Sequence, residues 1–199
     1  MQSIKGGPLK IIQMKLKLKH YNCVTSTNDE AIRLIKNRSF SPKLIQANLQ
    51  TKGRGTMGKK WVSIKGNLFL SIFFEIKSNN FDAKKIIKIN TKLLKNIFKK
   101  YTKDKVYIKF PNDILVRERK ICGVLQEIIE FRSKKFLIIG IGVNTFVAPK
   151  SKYFKSISLL NCSKLKICNK KILNEIKSSF EKIIDKLNRN IYPKLNNNI

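Results

Sequence analysis

The sequence predicts an α+β fold built from strands and helices in one main core. The chain has 199 residues, of which 42% are hydrophobic, which is enough to bury one substantial core. Two long segments have apolar residues on one helical side, at 83–100 and 169–190. Six segments have the alternating or continuous apolar pattern of strands, at 12–18, 41–50, 67–76, 105–110, 113–131 and 134–146.

Each element has a local sequence reason. Segment 12–18 alternates apolar and charged residues, which predicts a strand with one wet face. Ser26 or Thr27 can cap a helix that has Asp29 and Glu30 in its first turn. The continuous apolar run at 67–76 predicts a central strand.

The second half of the chain continues in the same way. The lysines of helix 83–100 form a solvated face. Pro111 ends the following strand at 105–110. Segment 113–131 reads as a hairpin with a charged turn at 117–120, and 134–146 as a buried strand with close-packed glycines. Residues 148–156 form a loop before the last helix.

The formal net charge of +31 admits two explanations. A basic field is typical of proteins that bind nucleic acid. The lysines, however, are spread along the whole chain together with abundant Ile, Asn and Phe, so a bias in base composition explains them as well. No basic run alternates with aromatic residues as in a platform for stacking bases.

The cysteines and the single histidine exclude several kinds of site. The four cysteines have neither a CxxC pair nor the spacing of metal ligands, which favours a reducing cytoplasmic setting. No apolar stretch has the length of a signal peptide core or a membrane span. Since His20 is the only histidine, histidine-based triads and metal centres are excluded.

The loop GRGTMGKKW at 53–61 has the composition of an anion-binding segment. Its glycines allow backbone N–H groups to approach a ligand, and Arg54, Lys59 and Lys60 supply positive charge. The spacing is not that of a P-loop, and the loop joins two strands. A basic surface hairpin is the alternative interpretation.

Polar residues at strand ends predict where a ligand binds. Lys120 enters a largely buried strand and therefore needs an anionic partner. Asn112 and Asp113 follow the end of one strand and Asn144 follows the end of another, so an enclosed small-molecule site is expected where these strands terminate. Cys122, beside this site, is interpreted as a small buried core residue.

Six motifs taken together resemble the biotin protein ligase family, in the family's order across residues 11–187. They are STN at 26–28, QTKGRGTMGKKWVS at 50–63, GNLFLS at 66–71, KFPNDI at 109–114, RKICGVLQE at 119–127 and GIGVN at 140–144. The resemblance implies a central mixed β-sheet flanked by helices, related in fold to the catalytic domains of class II aminoacyl-tRNA synthetases. That fold relation by itself says nothing about function.

The resemblance also implies a two-step ligase. Biotin and ATP, with Mg²⁺, would give biotinyl-5′-adenylate, and the biotinyl group would pass to one lysine of the biotin carboxyl carrier protein of acetyl-CoA carboxylase. No specific DNA binding and no membrane partner are expected, and a homodimer through the sheets is one candidate assembly.

Residue roles follow by motif match. The candidate catalytic residues are Lys120 and Arg54. The biotin site would contain Ser26, Thr27, Asn28, Gln50, Gly53, Arg54, Gly55, Thr56, Lys120 and Gly123. The ATP and adenylate site would contain Arg54, Thr56, Lys59, Trp61, Asn112, Asp113, Lys120 and Asn144. No metal site follows from residue spacing, although Asp113 is a candidate contact for magnesium bound to ATP. Tyr153 or Phe154 would contact adenine.

Three departures from the family pattern accompany the resemblance. Thr56 stands where many members have a second arginine that retains the adenylate. Lys59 or Lys60 could replace its charge, but a lysine cannot reproduce the planar fork of arginine. No helix-turn-helix domain is expected before the first strand, and the small C-terminal β-barrel of many relatives is expected to be absent. The predicted organisation is a catalytic domain at 1–190 and a polar tail at 191–199.

Three alternatives to this ligase remain. A lipoate ligase or acyltransferase of the same fold also modifies a carrier lysine, but GRG…GKKW with PND and RKICG favours biotin. A basic nucleic-acid-binding protein with the same fold would bind without catalysis, in a strongly salt-dependent way. An inactive ligase disagrees with the presence of nearly every motif residue.

Overall fold

The computed structural model describes residues 14–78, 81–151, 154–163 and 165–188, with no side-chain description for residue 188. The predicted tail at 191–199 lies outside these residues. The strands are β1 (Lys17–Tyr21), β2 (Lys43–Ala47), β3 (Leu68–Glu75), β4 (Val106–Lys109), β5 (Asp113–Val116), β6 (Arg119–Phe131) and β7 (Lys134–Val143). The helices are α1 (Thr27–Lys36), α2 (Ala83–Phe98), α3 (Leu159–Cys162) and α4 (Asn169–Asn188).

The seven strands form one mixed sheet in the order β1-β2-β3-β7-β6-β5-β4. β1 and β2 are parallel, and every other neighbouring pair is antiparallel. β3 is central, and seven of its eight residues are buried, as its continuous apolar run predicts. The expected α+β class with a mixed sheet is therefore confirmed.

The two faces of the sheet are covered by different helices. Alternate residues of β2, β3 and β7 point to opposite faces, as the period of a strand requires. Ile45, Phe73 and Ile138 pack with α1, whereas Leu44, Ile72 and Ile139 belong to a larger cluster that includes the apolar sides of α2 and α4. The amphipathic patterns at 83–100 and 169–190 are confirmed as the source of this cover.

The first strand differs from its prediction. β1 begins at Lys17, residues 12 and 13 lie outside the described residues, and Met14 to Leu16 are not in a strand. The expected alternation holds just before β1, where Leu16 is buried between exposed Lys15 and Lys17, but it does not continue into β1, which has no buried residue. β1 pairs only with β2, so it is an edge strand whose side chains remain largely solvated.

Two further details depart from the predicted pattern. The turn between β5 and β6 is confined to Arg117 and Glu118, both with positive φ (50° and 59°), so Lys120 lies in β6 rather than in the turn. Two positive φ values are typical of the tight hairpin turn that favours Asn and Gly, and Arg-Glu gives no such signal. The short helix α3 lies after the expected loop at 148–156 and was not predicted.

Candidate active site

A cavity of about 690 Å³ opens where the N-terminus of α1, the glycine loop and β5 to β7 meet. Of the predicted site residues that the structure describes, all except Gly53 line it, so the strand ends meet at one cavity. These residues are Ser26, Thr27, Asn28, Gln50, Arg54, Gly55, Thr56, Lys59, Trp61, Asn112, Asp113, Lys120, Gly123 and Asn144. Phe154 also lines the cavity, whereas Tyr153 lies outside the described residues.

The exception is Gly53, which is buried beneath the loop and does not line the cavity. A Cβ atom at this position would lie 2.6 Å from the Trp61 carbonyl oxygen and 2.9 Å from Ser63 Oγ. Gly53 therefore allows the two sides of the loop to pack closely.

The N-terminus of α1 provides one end of the cavity. Ser26 caps the helix, because its hydroxyl accepts a hydrogen bond from the Asn28 N–H group at 3.2 Å. The predicted cap is thus confirmed, and it leaves the side chains of the next two residues for other contacts. Thr27 donates from its N–H group to Gln50 Oε1 at 2.8 Å, and Gln50 Nε2 donates to Ser63 Oγ at 3.0 Å.

Asn28 connects this end to the middle of the sheet. It is only 2% exposed, its Oδ1 contacts the Ser71 hydroxyl, and its Nδ2 donates to Glu127 Oε2 at 2.6 Å. A Cβ atom on Gly140 would lie 2.5 Å from Asn28 Oδ1, so the glycine in β7 makes room for this amide. The polar groups at this end are buried and hydrogen-bonded, as a specific small-molecule pocket requires.

The glycine loop folds as a short hairpin over the cavity. The Gly55 N–H group donates to the Lys59 carbonyl at 2.6 Å, and the Trp61 N–H group donates to the Gly53 carbonyl at 2.9 Å. Its tip at Thr56 to Gly58 contains Met57 with φ 53° and Gly58 with φ 70°. The loop therefore has the hairpin shape that the alternative interpretation predicts, and it also lines the cavity.

Arg54 leaves the loop toward two carboxylates. Its Nη1 and Nη2 atoms donate to Glu127 Oε1 and Oε2 at 2.7 and 2.8 Å, and Nη2 also lies 2.9 Å from Asp29 Oδ1. The hydrogen bonds that Arg54 donates to Glu127 are the main reason that the pKa of Arg54 is raised. Its charge is thus already paired within the protein.

Lys120 reaches the cavity because the pairing of β5 with β6 is irregular. The register shifts between Ile114 and Leu115, so that two residues of β6 oppose one residue of β5. Such a bulge redirects a side chain. The Lys120 ammonium lies 2.6 Å from Asp113 Oδ1 and 5.4 Å from the centre of the Trp61 ring. The anionic partner expected for Lys120 is therefore present.

Glycines of β6 and β7 form the floor beneath Trp61. A Cβ atom would lie 2.8 Å from the Trp61 ring at Gly123 and 2.3 Å from it at Gly142. At Gly123 the same atom would lie 3.0 Å from Lys120 Nζ. Both positions require the absence of a side chain, because the ring and the lysine occupy that space.

Two asparagines complete the other end of the cavity. Asn112 Nδ2 donates to the Val124 carbonyl at 3.2 Å and lies 3.4 Å from Thr56 Oγ1. Asn144 is 2% exposed, and its Nδ2 donates to the Lys120 carbonyl at 3.2 Å. Its buried Oδ1 has no hydrogen-bond partner among the described residues, so it can accept from a ligand.

The electrostatics of the cavity favour an anionic ligand. Its lining contains one carboxylate, that of Asp113, and five cations, which are Arg54, Lys59, Lys60, Lys109 and Lys120. Among the described residues no cluster of three or more His, Cys, Asp or Glu side chains is arranged to hold a metal ion. Across the same residues, no helix is long and apolar enough to cross a membrane. Cys122 is fully buried, and burial raises the pKa of its thiol, as expected for a core residue.

Four contributors to the site were not predicted from the sequence, namely Asp29, Ser63, Ser71 and Glu127. Asp29 was interpreted only as a residue of the first helical turn. Glu127 had a usable signal, because a carboxylate in a strand that begins buried needs a cationic partner. Ser63 and Ser71 are ordinary strand or loop residues in the sequence, and only the structure brings them to Gln50 and Asn28.

Comparison with known proteins identifies the family. The family model of the Biotin/lipoate A/B protein ligase family matches residues 21–144. The bifunctional ligase/repressor BirA of Escherichia coli (strain K12) is 33% identical over 100 residues, which cover 49% of this chain and 31% of that relative's own length.

Two solved structures are similar over most of the chain. The biotin protein ligase from Leishmania major in complex with biotinyl-5-AMP gives a TM-score of 0.72 at 24% identity and covers 85% of this chain and 75% of that one. The ligase from Aquifex aeolicus in complex with biotin and ATP gives 0.71 at 26% identity, with 87% and 72% covered. The family match takes in more than half of the chain, from β1 to Asn144, and this chain belongs to the Biotin/lipoate A/B protein ligase family.

Proposed function

We propose that this protein is a biotin protein ligase, which activates biotin with ATP and transfers it to a lysine of a biotin carboxyl carrier protein. The observation that carries the proposal is the position of Lys120. Its ammonium lies 2.6 Å from Asp113 and lines the same cavity as the buried, neutral polar residues at α1 and the cations of the glycine loop. Such a cavity suits a ligand that combines a neutral ring system with a carboxylate beside a phosphate.

The α1 end fits the ring system of biotin. Thr27, Asn28 and Gln50 present hydroxyl and amide groups that can both donate and accept, as a ureido group requires. Leu70, Val124 and Ile141 line the same cavity with apolar side chains for the thiophene ring and the valeryl chain. The predicted biotin contacts of Ser26, Gly55, Thr56 and Gly123 remain part of this proposal.

The opposite end fits the nucleotide. Thr56, Lys59, Asn112 and Asn144 line it, and the Asn144 Oδ1 atom is a buried acceptor for a donor group of the nucleotide. Trp61 presents its indole beside them. Lys59 and Lys60 are exposed, and neither forms an ion pair among the described residues. Both can therefore attract the triphosphate without first giving up a carboxylate partner.

The chemistry begins with two anions that repel each other. A biotin carboxylate oxygen attacks the α-phosphorus of ATP, a new O–P bond forms, and the bond to the leaving pyrophosphate breaks. In this proposal the Lys120 ammonium, which lines the cavity, would contact both anions and stabilise the charge that develops between them. In the second step the neutral ε-amine of the acceptor lysine attacks the carbonyl carbon, AMP leaves, and the amine loses a proton.

Magnesium is expected with ATP, and the residues present fit an ion held mainly by phosphate oxygens. Asp113 supplies a carboxylate and Asn144 an amide oxygen, both hard ligands of the kind that Mg²⁺ accepts. The ion would supply charge neutralisation at the phosphates when bound. The acceptor is proposed as the carrier protein of acetyl-CoA carboxylase in the cytoplasm, with no specific DNA binding.

The proposal is tested by pyrophosphate release from purified protein with ATP and magnesium. Biotin, lipoate and octanoate are supplied in parallel, so that the two branches of the family are compared in one assay. Release only with biotin is the expected result. Release only with lipoate or octanoate would reassign the chain to the other branch, and no release from folded protein with any acid would refute a ligase.

A further inference from the structure

Glu127 accepts hydrogen bonds from both the glycine loop and the N-terminal residues of α1. Its two oxygens accept from Arg54 of the glycine loop at 2.7 and 2.8 Å, and one of them also accepts from Asn28 Nδ2 at 2.6 Å. Arg54 precedes Glu127 by 73 residues, so this contact joins separate parts of the chain. Because the Arg54 pair is bidentate, it fixes the plane of the guanidinium as well as its distance.

The pair contributes more to orientation than to stability. The side chains of Arg54 and Glu127 are 37% and 24% exposed, and ion pairs near the surface typically stabilise a fold by only about 0–1 kcal/mol. A bidentate pair nevertheless restricts a long, flexible side chain to one direction. Its main effect is therefore on where the loop lies.

The loop has few other side-chain contacts with the sheet. The backbone hydrogen bonds from Gly55 N–H to the Lys59 carbonyl and from Trp61 N–H to the Gly53 carbonyl lie within the loop itself. Outside it, the Trp61 ring packs on Gly123 and Gly142 with the Lys120 ammonium 5.4 Å from its centre, and Thr56 Oγ1 lies 3.4 Å from Asn112. Arg54 therefore makes the main polar side-chain link between this loop and β6.

We infer that Glu127 is a positioning residue that holds Arg54, and with it the glycine loop, over the bound adenylate. The inference rests on the proposed function. Since the same carboxylate holds Asn28 at the biotin end, Glu127 also connects the two halves of the ligand site. Without it, Arg54 keeps only its exposed contact with Asp29, and the loop opens more often.

The test measures dissociation of chemically prepared biotinyl-5′-adenylate, chased with excess unlabelled adenylate. We expect Glu127→Gln to accelerate dissociation about tenfold, as for the loss of one charge-paired hydrogen-bonded contact. Glu130→Gln is the matched control, because Glu130 is an exposed carboxylate on the same strand and is expected to leave the rate unchanged. Glu127→Asp, which keeps the charge, should restore part of the slow rate.

The double variant separates positioning from a general structural effect. If Glu127 acts through Arg54, Arg54→Ala with Glu127→Gln dissociates no faster than Arg54→Ala alone. Trypsin cleavage within residues 52–60 should also be faster in Glu127→Gln than in the wild type. A full additional acceleration in the double variant, or an unchanged rate in Glu127→Gln, would overturn the inference.

The two possible failures are distinguishable. If the wild type does not bind the adenylate at all, the proposed function fails, whatever the variants do. If the wild type binds it and only the dependence on Glu127 is missing, the inference fails and the ligase remains. Should Glu127→Gln not fold, Glu127→Asp and its Arg54→Ala double variant give the same comparison, with thermal unfolding as the check of folding.

Discussion

The Lys120 ammonium and the Asp113 carboxylate form an ion pair at 2.6 Å across the bulge between β5 and β6. The regular hairpin register would not place the lysine over Gly123, where its Nζ lies 3.0 Å from the position of a Cβ atom. The irregular register thus directs Lys120 into the cavity and gives it a partner there. A phosphate that binds Lys120 must compete with Asp113 or share the lysine with it.

The Trp61 ring depends on the glycine floor. We predict that Gly142→Ala weakens adenylate binding by about tenfold with little loss of fold, because a Cβ atom 2.3 Å from the ring forces the indole to move. Affinity measured by titration calorimetry checks this. In a Trp61→Leu background, whose smaller side chain leaves room, Gly142→Ala should have little further effect, and an equal loss in both backgrounds would contradict the proposed role of the ring.

Because of Thr56, we expect the protein to release free biotinyl-adenylate readily. Thr56 contributes a hydroxyl near Asn112, so in the proposed ligase no second guanidinium would contact the adenylate phosphate from this position. We expect Thr56→Arg to slow the release of free biotinyl-adenylate by about tenfold, the effect of one added charge-assisted hydrogen bond. Thr56→Ser is the control with unchanged charge. An equally fast release from Thr56→Arg would show that the lysines already retain the intermediate.

The cysteines should differ in reactivity. Cys122 and Cys162 are buried, and burial raises the pKa of both thiols, whereas Cys23 and Cys168 are exposed. Labelling with Ellman's reagent is therefore expected to modify two thiols rapidly in the native protein and all four in denaturant. Rapid modification of Cys122 in the native state would mean that the sheet beside the site opens readily.

The contact between α4 and the residues just after α2 predicts a dependence of stability on pH. Burial raises the pKa of Glu175, but hydrogen bonds from Lys100 at 2.9 Å and Tyr101 at 2.7 Å outweigh it, so the pKa lies below its ordinary value. The unfolded chain then binds the proton more readily than the folded one. The stabilisation is complete above the unfolded-state pKa and is lost as pH falls through the lower folded-state pKa.

Chemical denaturation between pH 7 and pH 3 measures this dependence. Glu175→Gln should lower the free energy of unfolding by about 1 kcal/mol at pH 7, typical of one net hydrogen bond, and should lose less stability on acidification than the wild type. Glu130→Gln, which removes an exposed carboxylate, serves as the control. Parallel curves for wild type and Glu175→Gln would exclude this carboxylate as a source of acid sensitivity.

Local pattern predicted the elements well because their causes are local. The apolar run of β3, the helical spacing of α2 and α4 and the Ser26 cap each depend on residues within one or two turns of the chain. The alternating burial predicted for 12–18 ends at Leu16, because β1 lies at the edge of the sheet, where its side chains remain largely solvated. The predicted turn at 117–120 is too long, because Arg117 and Glu118 are not the residues that the observed tight turn with two positive φ values favours.

The site could be predicted only in part. Motif resemblance located the lining residues, but it did not indicate which of them contact each other. The bulge that directs Lys120 is a shift of strand register, and the pairing of Arg54 with Glu127 joins segments 73 residues apart. The spacing of apolar residues along the chain gives no information on either. The charge of Arg54 was assigned to the ligand in the prediction, and the structure places two protein carboxylates beside it.

The most direct test of the central claim is biotin-dependent exchange of pyrophosphate into ATP by Lys120→Ala and by Arg119→Ala. The two variants each remove one cation from adjacent positions of β6, but only Lys120 lines the cavity. We predict that Lys120→Ala loses at least about a hundredfold in exchange rate, the effect expected when one preorganised charge contact to the reacting groups is removed, while Arg119→Ala retains wild-type exchange. Equal exchange by folded Lys120→Ala and the wild type would contradict the assignment of the chemistry to this cavity.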